Sequence, residues 1–358
     1  MSQPAKHVSF IEKQTISNVL AEKPNIQSLI QLSVNATVEE AFDLLLAENI
    51  LSVPVYRIWK GHREPIALVS AFDLVTFVCL QFTDDLSDNQ ESFNEKSIFL
   101  QKSIGELIGL SPESTHLTIR HPSDSLQELL VLFTHHKVHR VLVTSQVPSS
   151  PDETINDVIN EDLIQPCFIS QTDVIRFLVK HNHQLGEILD LPASEAANRA
   201  SLSRRGGFAA LSTITIHDQA LTAFRKIYED KVNAVAILND EGMLVGEISA
   251  ADLRGLNRNR LNDLKKPVIM FLNTCKGGLI KPLTCRQRYT LSQVMSGIML
   301  SKVHRAWFVD DDDIPIGVIT LSDILYMFLS PEMNIFKKVP ENNSYSTYSL
   351  SSASSFYH

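Results

Sequence analysis

The sequence predicts an α/β protein built from four copies of one strand–helix–strand–strand–helix unit. A Ser/Thr-x-x-Asp step follows an apolar strand four times, at 70–73, 170–173, 249–252 and 320–323. Apolar residues at helical spacing alternate with strands rich in β-branched residues. One copy is too small to bury a large core, so the copies are expected to pack in pairs. The unequal spacing of the steps indicates insertions between copies, not a tight solenoid.

The second copy illustrates the expected order of elements. LTIR at 117–120 is its first strand, and SLQELLVLF at 125–133 is an amphipathic helix. VHRVLV at 138–143 is the middle strand, and ISQTDVIRF at 169–177 carries the third strand into the closing helix. Each of the other copies repeats this order, and helices are expected on one face of a small sheet.

These copies divide the chain into eight segments. In order, we expect an N-terminal extension (1–19), repeat one (20–81), an acidic linker (82–102), repeat two (103–185) with an exposed insertion (145–166), a linker (186–206), repeat three (207–262), repeat four (263–332) and a Ser-rich disordered tail (333–358).

Composition excludes several classes of function. The 358 residues are 44% hydrophobic and carry a net charge of −9, and no basic run suggests nucleic acid. The apolar stretches are far shorter than a membrane span, and the first residues lack the apolar core of a secretory signal. The chain is therefore expected in the cytoplasm, the nucleus or both. The four cysteines fit no metal or redox motif and are expected to be small buried hydrophobes.

An enzymatic function is not expected. The chain has no phosphate-binding loop of the Walker type, no Gly-x-Ser-x-Gly elbow and no cluster of metal ligands. The repeats supply no nucleophile with a positioned base, so we predict no catalytic residue, no metal site and no cofactor.

The four steps allow two interpretations. Each one alone is an ordinary helix N-terminus with a capping box. A helix N-terminus also offers unpaired N–H groups and a partial positive charge to a polar or anionic ligand, and an aspartate is suited to a diol. The candidate hydroxyls are Ser70, Ser170, Ser249 and Thr320, and the candidate carboxylates are Asp73, Asp173, Asp252 and Asp323.

The units resemble cystathionine-β-synthase-type (CBS) repeats, which pair into Bateman modules. Four in a row over about residues 20–330, with Val-His-Arg strands in the second and fourth copies only, resembles the gamma regulatory subunit of the AMP-activated and sucrose-non-fermenting kinase class, most of all the plant gamma-like proteins. The resemblance implies two modules of consecutive copies, about 20–185 and 205–332, forming a flat disk. It also implies a kinase catalytic (alpha) chain and a beta scaffold as partners.

The same resemblance implies roles for individual residues. The four aspartates would accept hydrogen bonds from the ribose of AMP, ADP or ATP, and the hydroxyl residues would cap the helices beneath it. Phosphates would meet the His-Arg pairs, because arginine forms a fork to phosphate and histidine adds pH-dependent donors. These pairs are His139, Arg140, His304 and Arg305.

Departures from the family pattern weaken this expectation. Leu51 and Thr172 stand where the family has basic residues, and Asp173 stands where animal gamma chains have arginine. The third and fourth copies have Gly246 and Gly317 where the first two have larger residues, which favours the third and fourth as sites. We therefore expect weak nucleotide binding with poor discrimination between AMP and ATP. The alternative is a structural adaptor with no physiological nucleotide.

Overall fold

The computed structural model describes residues 5–24, 29–82, 97–136, 138–145, 166–195 and 211–330. Most of the acidic linker, nearly all of the predicted insertion, the end of the 186–206 linker and the predicted tail lie outside the described residues.

Four three-stranded sheets confirm the predicted repeat. In each sheet the middle strand of the copy is central, parallel to the first strand and antiparallel to the third. The strands are β1 Leu32–Ser33, β2 Ser52–Trp59 and β3 His62–Ser70; β4 Ile119–Arg120, β5 Arg140–Val143 and β6 Cys167–Ser170; β7 Thr213–Thr215, β8 Ala234–Leu238 and β9 Leu244–Ser249; β10 Thr284–Cys285, β11 Arg305–Val309 and β12 Pro315–Thr320.

Helices connect and follow these strands. The helices are α1 Lys6–Ile11, α2 Ile16–Ala21, α3 Val38–Ala47, α4 Ala71–Gln81, α5 Pro112–Thr115, α6 Leu126–His135, α7 Gln171–Lys180, α8 Asn182–Leu185, α9 Ala220–Glu229, α10 Val268–Lys276, α11 Leu291–Ser301 and α12 Leu321–Met327. The 3₁₀ segments are Ser97–Gln101, Ile104–Leu107, Gly186–Asp190, Ala250–Leu253 and Arg258–Lys265.

The third copy departs from the predicted order at its closing helix. After β9 the chain forms only the 3₁₀ turn Ala250–Leu253, because Arg254 leaves the helical region of backbone space with φ −55° and ψ 142°. Gly255 follows with φ +71°, and a Cβ there would lie 2.4 Å from the end of the Leu46 side chain. Its N–H donates to the Phe42 carbonyl oxygen at 3.0 Å, which turns the chain away from a helical path.

The described residues form two compact units that combine alternate copies. The first–third unit takes in described residues within 30–117 and 212–282, and the second–fourth unit those within 1–29, 118–211 and 283–347. Each unit has one continuous apolar core. In the first–third unit α9 packs against α4; in the second–fourth unit α12 packs against α6 and α7. These units combine alternate copies, whereas the predicted modules combine consecutive copies. The predicted pairing of consecutive copies and the predicted disk both stay predictions.

The short segments that precede each copy, here called lead segments, pack against a different copy from the one that they precede in the sequence. Phe99, Leu100, Ile104 and Leu107 belong to the core of the first–third unit, although the sequence placed them in the acidic linker and at the start of repeat two. Isolated antiparallel bridges show the same exchange: the residue before α3 pairs with Ser103, and the residue before α6 pairs with Thr15. The third and fourth copies repeat it through the bridges Gln219–Pro267 and Pro192–Thr290.

Candidate functional site

A capping box closes each of the four Ser/Thr-x-x-Asp steps, so the capping interpretation of these residues is confirmed. In every copy the backbone N–H of the hydroxyl residue donates to Oδ2 of the aspartate three residues later, at 2.7–2.9 Å. The hydroxyl group of the same residue lies 2.6–3.1 Å from that oxygen. Each cap therefore uses Oδ2, and the four carboxylates differ in the further groups that contact them.

The residue before each middle strand lies beside the start of the closing segment. Its carbonyl oxygen accepts a hydrogen bond from the first residue after the hydroxyl, at 2.8–3.3 Å, and the accepting residues are Leu51, His139, Asn233 and His304. Leu51 and Asn233 thus occupy the position that histidine takes in the second and fourth copies. Arg140 pairs directly across the sheet with Ser170, and Arg305 with Thr320.

Both His-Arg pairs lie in the second–fourth unit, each beside the helix cap of its own copy. The closing helices of these two copies touch where they begin, because Gln171 Nε2 donates to Ser322 Oγ at 2.9 Å. His304 is exposed, while His139, Arg140 and Arg305 are half-buried. The unit therefore combines two helix N-termini with the four residues predicted to meet phosphate.

The first step is filled by the chain itself. Asp73 is fully buried, and its Oδ1 accepts a hydrogen bond from Ser114 Oγ in α5 at 2.7 Å. Burial raises the pKa of Asp73 although hydrogen bonds from Ser70, Ser111 and Ser114 act to lower it. Both carboxylate oxygens thus have protein donors, and this arrangement does not support the predicted ribose contact of Asp73.

Two cations meet the carboxylate of the second step. Lys23, just beyond α2, places Nζ 3.3 Å from Oδ2 of Asp173 and 2.5 Å from the Phe168 carbonyl oxygen. Arg176 Nη1 lies 2.8 Å from Oδ1. Burial alone would raise the pKa of Asp173, but the charge of Lys23 and hydrogen bonds from Ser170 and Arg176 outweigh it and lower the pKa. A ribose at Asp173 would have to compete with these cations.

The third step is covered by residues at the end of α10 and beyond it. Lys276 Nζ lies 3.2 Å from Oδ1 of Asp252. A Cβ on Gly246 would lie 2.3 Å from Cδ1 of Leu279, so this side chain occupies the space that the glycine leaves open. This arrangement does not support the expectation that Gly246 admits a ligand to the backbone, because Leu279 occupies that space, and a ligand at the third copy stays a prediction.

The fourth step keeps the room that its glycine provides. Among the described residues, a Cβ on Gly317 would meet only Cβ of Phe308, at an ordinary distance of 3.6 Å. Asp323 is buried, and its Oδ2 accepts from the backbone and hydroxyl of Thr320 at 2.8 and 2.7 Å. Arg305 lies across the sheet from Thr320. A helix cap, a carboxylate, a basic pair and an open glycine are thus brought together in one copy.

The described residues show neither a cluster of metal ligands nor a membrane-spanning helix. Among them no group of three or more His, Cys, Asp or Glu side chains could hold a metal ion. None of the described helices has the length and apolar character needed to cross a membrane. The four cysteines are free thiols, three of them buried, and only Cys275 is half-buried.

Sequence reasoning missed the groups that contact the carboxylates of the first three steps. Arg176 carried a usable signal, because a cation three residues after an aspartate on a helix faces it. Lys23, Ser114 and Lys276 carried no such signal. Each is far in sequence from its aspartate, and the local sequence pattern does not determine which part of the fold its segment packs against. Their contacts became visible only in the folded chain.

Comparisons with known proteins agree with this architecture. Residues 279–330 match the family model of the CBS domain. The 5'-AMP-activated protein kinase subunit gamma of Kluyveromyces lactis is 25% identical, over 90% of this chain and 91% of its own length. The SNF1-related protein kinase regulatory subunit gamma-like PV42b of Arabidopsis thaliana is 24% identical, over 83% of this chain and 90% of its own length.

A solved structure shows the same fold. Protein MJ1225 from Methanocaldococcus jannaschii superposes with a TM-score of 0.61 at 14% identity, over 85% of this chain and 97% of its own length. The prediction of a resemblance to the gamma class, with a plant gamma-like protein among the relatives, is confirmed. The chain thus carries a CBS domain at 279–330 and is similar, over most of its length, to the gamma subunits of the AMP-activated and SNF1-related protein kinases.

Proposed function

We propose that this chain is a non-catalytic regulatory subunit of a Ser/Thr protein kinase complex and that it binds adenosine nucleotides. The observation that carries the proposal is the placement of both His-Arg pairs beside helix caps in one compact unit. The similarity to kinase gamma subunits over about nine-tenths of the chain supports it. The cytoplasm, the nucleus or both are the compartments in which such a complex would act.

The fourth copy is the preferred nucleotide site. Asp323 would accept hydrogen bonds from the ribose hydroxyls, while Thr320 caps the helix beneath it. His304 and Arg305 would meet the phosphates, which also face the positive end of α12. The room beside Gly317 would let the nucleotide approach the backbone of β12.

The other three copies are expected to bind weakly or not at all. At the first step a ligand would have to displace Ser114, and at the second it would compete with Lys23 and Arg176. At the third it would have to move Lys276 and Leu279. In each case a contact within the protein would be replaced by a similar contact with the nucleotide, so little net binding free energy is expected. This is the observation that favours the second candidate function, a structural adaptor without a physiological nucleotide.

Calorimetric titration of the purified chain with AMP, ADP and ATP distinguishes these two functions. Saturable binding of about one nucleotide, weakened by added salt, is the result expected for the fourth-copy site. The absence of a heat signal up to millimolar nucleotide, from a chain that still joins its kinase complex, would favour the adaptor.

The proposed partners are a kinase catalytic (alpha) chain and a beta scaffold. Support for them comes from the relatives alone, since an interface cannot be inferred from fold. Co-expression of this chain with a sucrose-non-fermenting-type catalytic chain and beta subunit, followed by gel filtration, tests the assembly. Elution of all three as one complex is expected, and separate elution would contradict the proposal.

A further inference from the structure

The hairpin between β2 and β3 projects beyond the sheet of the first copy. Residues 56–59 pair with 62–65, whereas β1 pairs only with Val55 and Tyr56. The turn residues Lys60 and Gly61 have φ values of +49° and +84°, so a tight two-residue turn closes the arm. We call residues 56–64 the basic hairpin tip. Beyond Tyr56 it is a two-stranded ribbon that no third strand covers within the described part of the chain.

Aromatic and cationic side chains lie on both faces of the basic hairpin tip. Ile58 is 63% exposed and Trp59 is 48% exposed, which is unusual for residues of this size. The guanidinium of Arg57 lies 5.2 Å from the centre of the Trp59 ring, and that of Arg63 lies 4.7 Å from the centre of the Tyr56 ring. These contacts hold long side chains in place before any partner arrives.

The charge of the tip is opposite to that of the chain. Within residues 56–64 the side chains of Arg57, Lys60 and Arg63 are positive and that of Glu64 is negative, so three positive charges minus one leave +2 in a chain of net charge −9. Glu64 lies 2.6 Å from Arg57 Nε. The corresponding turns of the third and fourth copies are acidic, with the sequences NDEG at 239–242 and DDDD at 310–313. The repeat architecture therefore does not require a basic turn at this place.

We propose that the basic hairpin tip docks an extended acidic segment of a partner protein. Tryptophan, tyrosine and arginine are the residue types that dominate binding energy at protein interfaces. An uncovered ribbon edge can accept the backbone of an extended segment as a further strand. Carboxylates on that segment would meet Arg57 and Lys60, and its apolar side chains would cover Ile58 and Trp59.

A lipid surface fits the tip less well. The leading residues are Lys60 and Gly61, so the exposed apolar side chains stand behind a charged turn rather than in front of it. Insertion of Trp59 would also carry the neighbouring Arg57–Glu64 ion pair out of water, which costs free energy. The proposal does not depend on nucleotide binding, because the tip and the fourth-copy step lie in different units.

Tryptophan emission provides the test, because the chain has only two tryptophans and Trp307 is buried. The probe is a synthetic peptide of alternating glutamate and leucine, and the control peptide replaces glutamate with lysine. We expect a saturable blue shift with the acidic peptide only. Arg57→Glu/Lys60→Glu is expected to weaken binding at least about tenfold, and Lys180→Glu, an exposed lysine of the other unit, is expected to leave it unchanged.

Three results would overturn the proposal. The first is no response to the acidic peptide, or an equal response to both peptides, from protein whose circular dichroism is unchanged. The second is a shift with phosphatidylserine vesicles but not with the peptide, which would identify a membrane surface. The third is self-association that Arg57→Glu/Lys60→Glu abolishes, which would identify a second copy of this chain as the occupant.

Discussion

Replacing Lys23 with methionine removes the cation that meets the second step. Lys23 Nζ lies 3.3 Å from Oδ2 of Asp173, whose side chain is only 9% exposed. Methionine keeps an unbranched apolar stem but removes the charge and the donors. Arg176 still contacts the other carboxylate oxygen, so the charge is not left alone. We therefore expect the unit to lose about 1.5–3 kcal/mol of stability, less than the roughly 3–5 kcal/mol for an isolated buried charge.

The loss depends on pH in a defined direction. Although burial opposes it, Lys23 helps hold the pKa of Asp173 below its ordinary value of 3.8. An acid whose pKa is lower in the folded state stabilises the fold above its unfolded pKa, and that contribution disappears as pH falls through the folded value. The difference in the free energy of unfolding between wild type and Lys23→Met is thus at its full value at pH 7 and is expected to shrink as pH falls below about 4.

Urea unfolding of the second–fourth unit measures this difference. Trp307 lies in that unit and Trp59 in the other, so a Trp59→Phe background isolates its signal. Lys180→Met is the matched control, because Lys180 is 65% exposed and lies 3.5 Å from Glu22. The control is expected to lose less than about 1 kcal/mol. Equal losses for the two variants at pH 7, or a Lys23→Met loss that does not shrink as the pH is lowered from 7 through 4 and below, would refute the reasoning.

Three further predictions concern the filled steps, the missing charges and the thiols. Ser114→Ala is expected to destabilise the first–third unit by about 1–3 kcal/mol, because buried Asp73 loses a donor, and Trp59 emission in urea measures it. Thr172→Lys, beside the Gln171–Ser322 contact of the second–fourth unit, is expected to tighten ATP binding more than AMP binding, by about tenfold in calorimetry, and unchanged affinities would show that residue 172 does not face the phosphates. Cys275 is expected to react first with a maleimide, because it is half-buried and the other three thiols are buried. The thiolate is the reacting form and burial raises the pKa of the Cys275 thiol, so labelling is expected to be slow near neutral pH and faster as pH rises. Simultaneous labelling of all four cysteines in native protein would contradict this.

The repeat, its internal order and its helix caps were predictable because each depends on local pattern. An apolar strand followed by Ser-x-x-Asp specifies both the end of the strand and the start of a helix, whatever surrounds them. Thr320 and Asp323 accordingly form the predicted cap, and Arg305 lies beside it as the strand register requires.

The exchange of lead segments was not predictable by the same means. Thr15 and Ser125 are paired although 110 positions separate them, and short helices such as α2 and α5 fit more than one apolar face. Lys23 and Ser114 reach their carboxylates only through this exchange. The short closing segment of the third copy also escaped prediction, because the tertiary contact of Gly255 with Phe42 overrides the helical pattern.

Titration of Asp323→Ala with AMP tests the central claim most directly. Loss of a charge-assisted hydrogen bond worth about 1.5–3 kcal/mol is expected to weaken binding roughly 10–100-fold. The fold should change less, since Thr320 can still cap α12, and unaltered Trp307 emission would verify this. Asp240→Ala, which alters an exposed aspartate of the first–third unit, is expected to bind like wild type. Unchanged AMP affinity in well-folded Asp323→Ala would contradict the assignment of the site to the fourth copy.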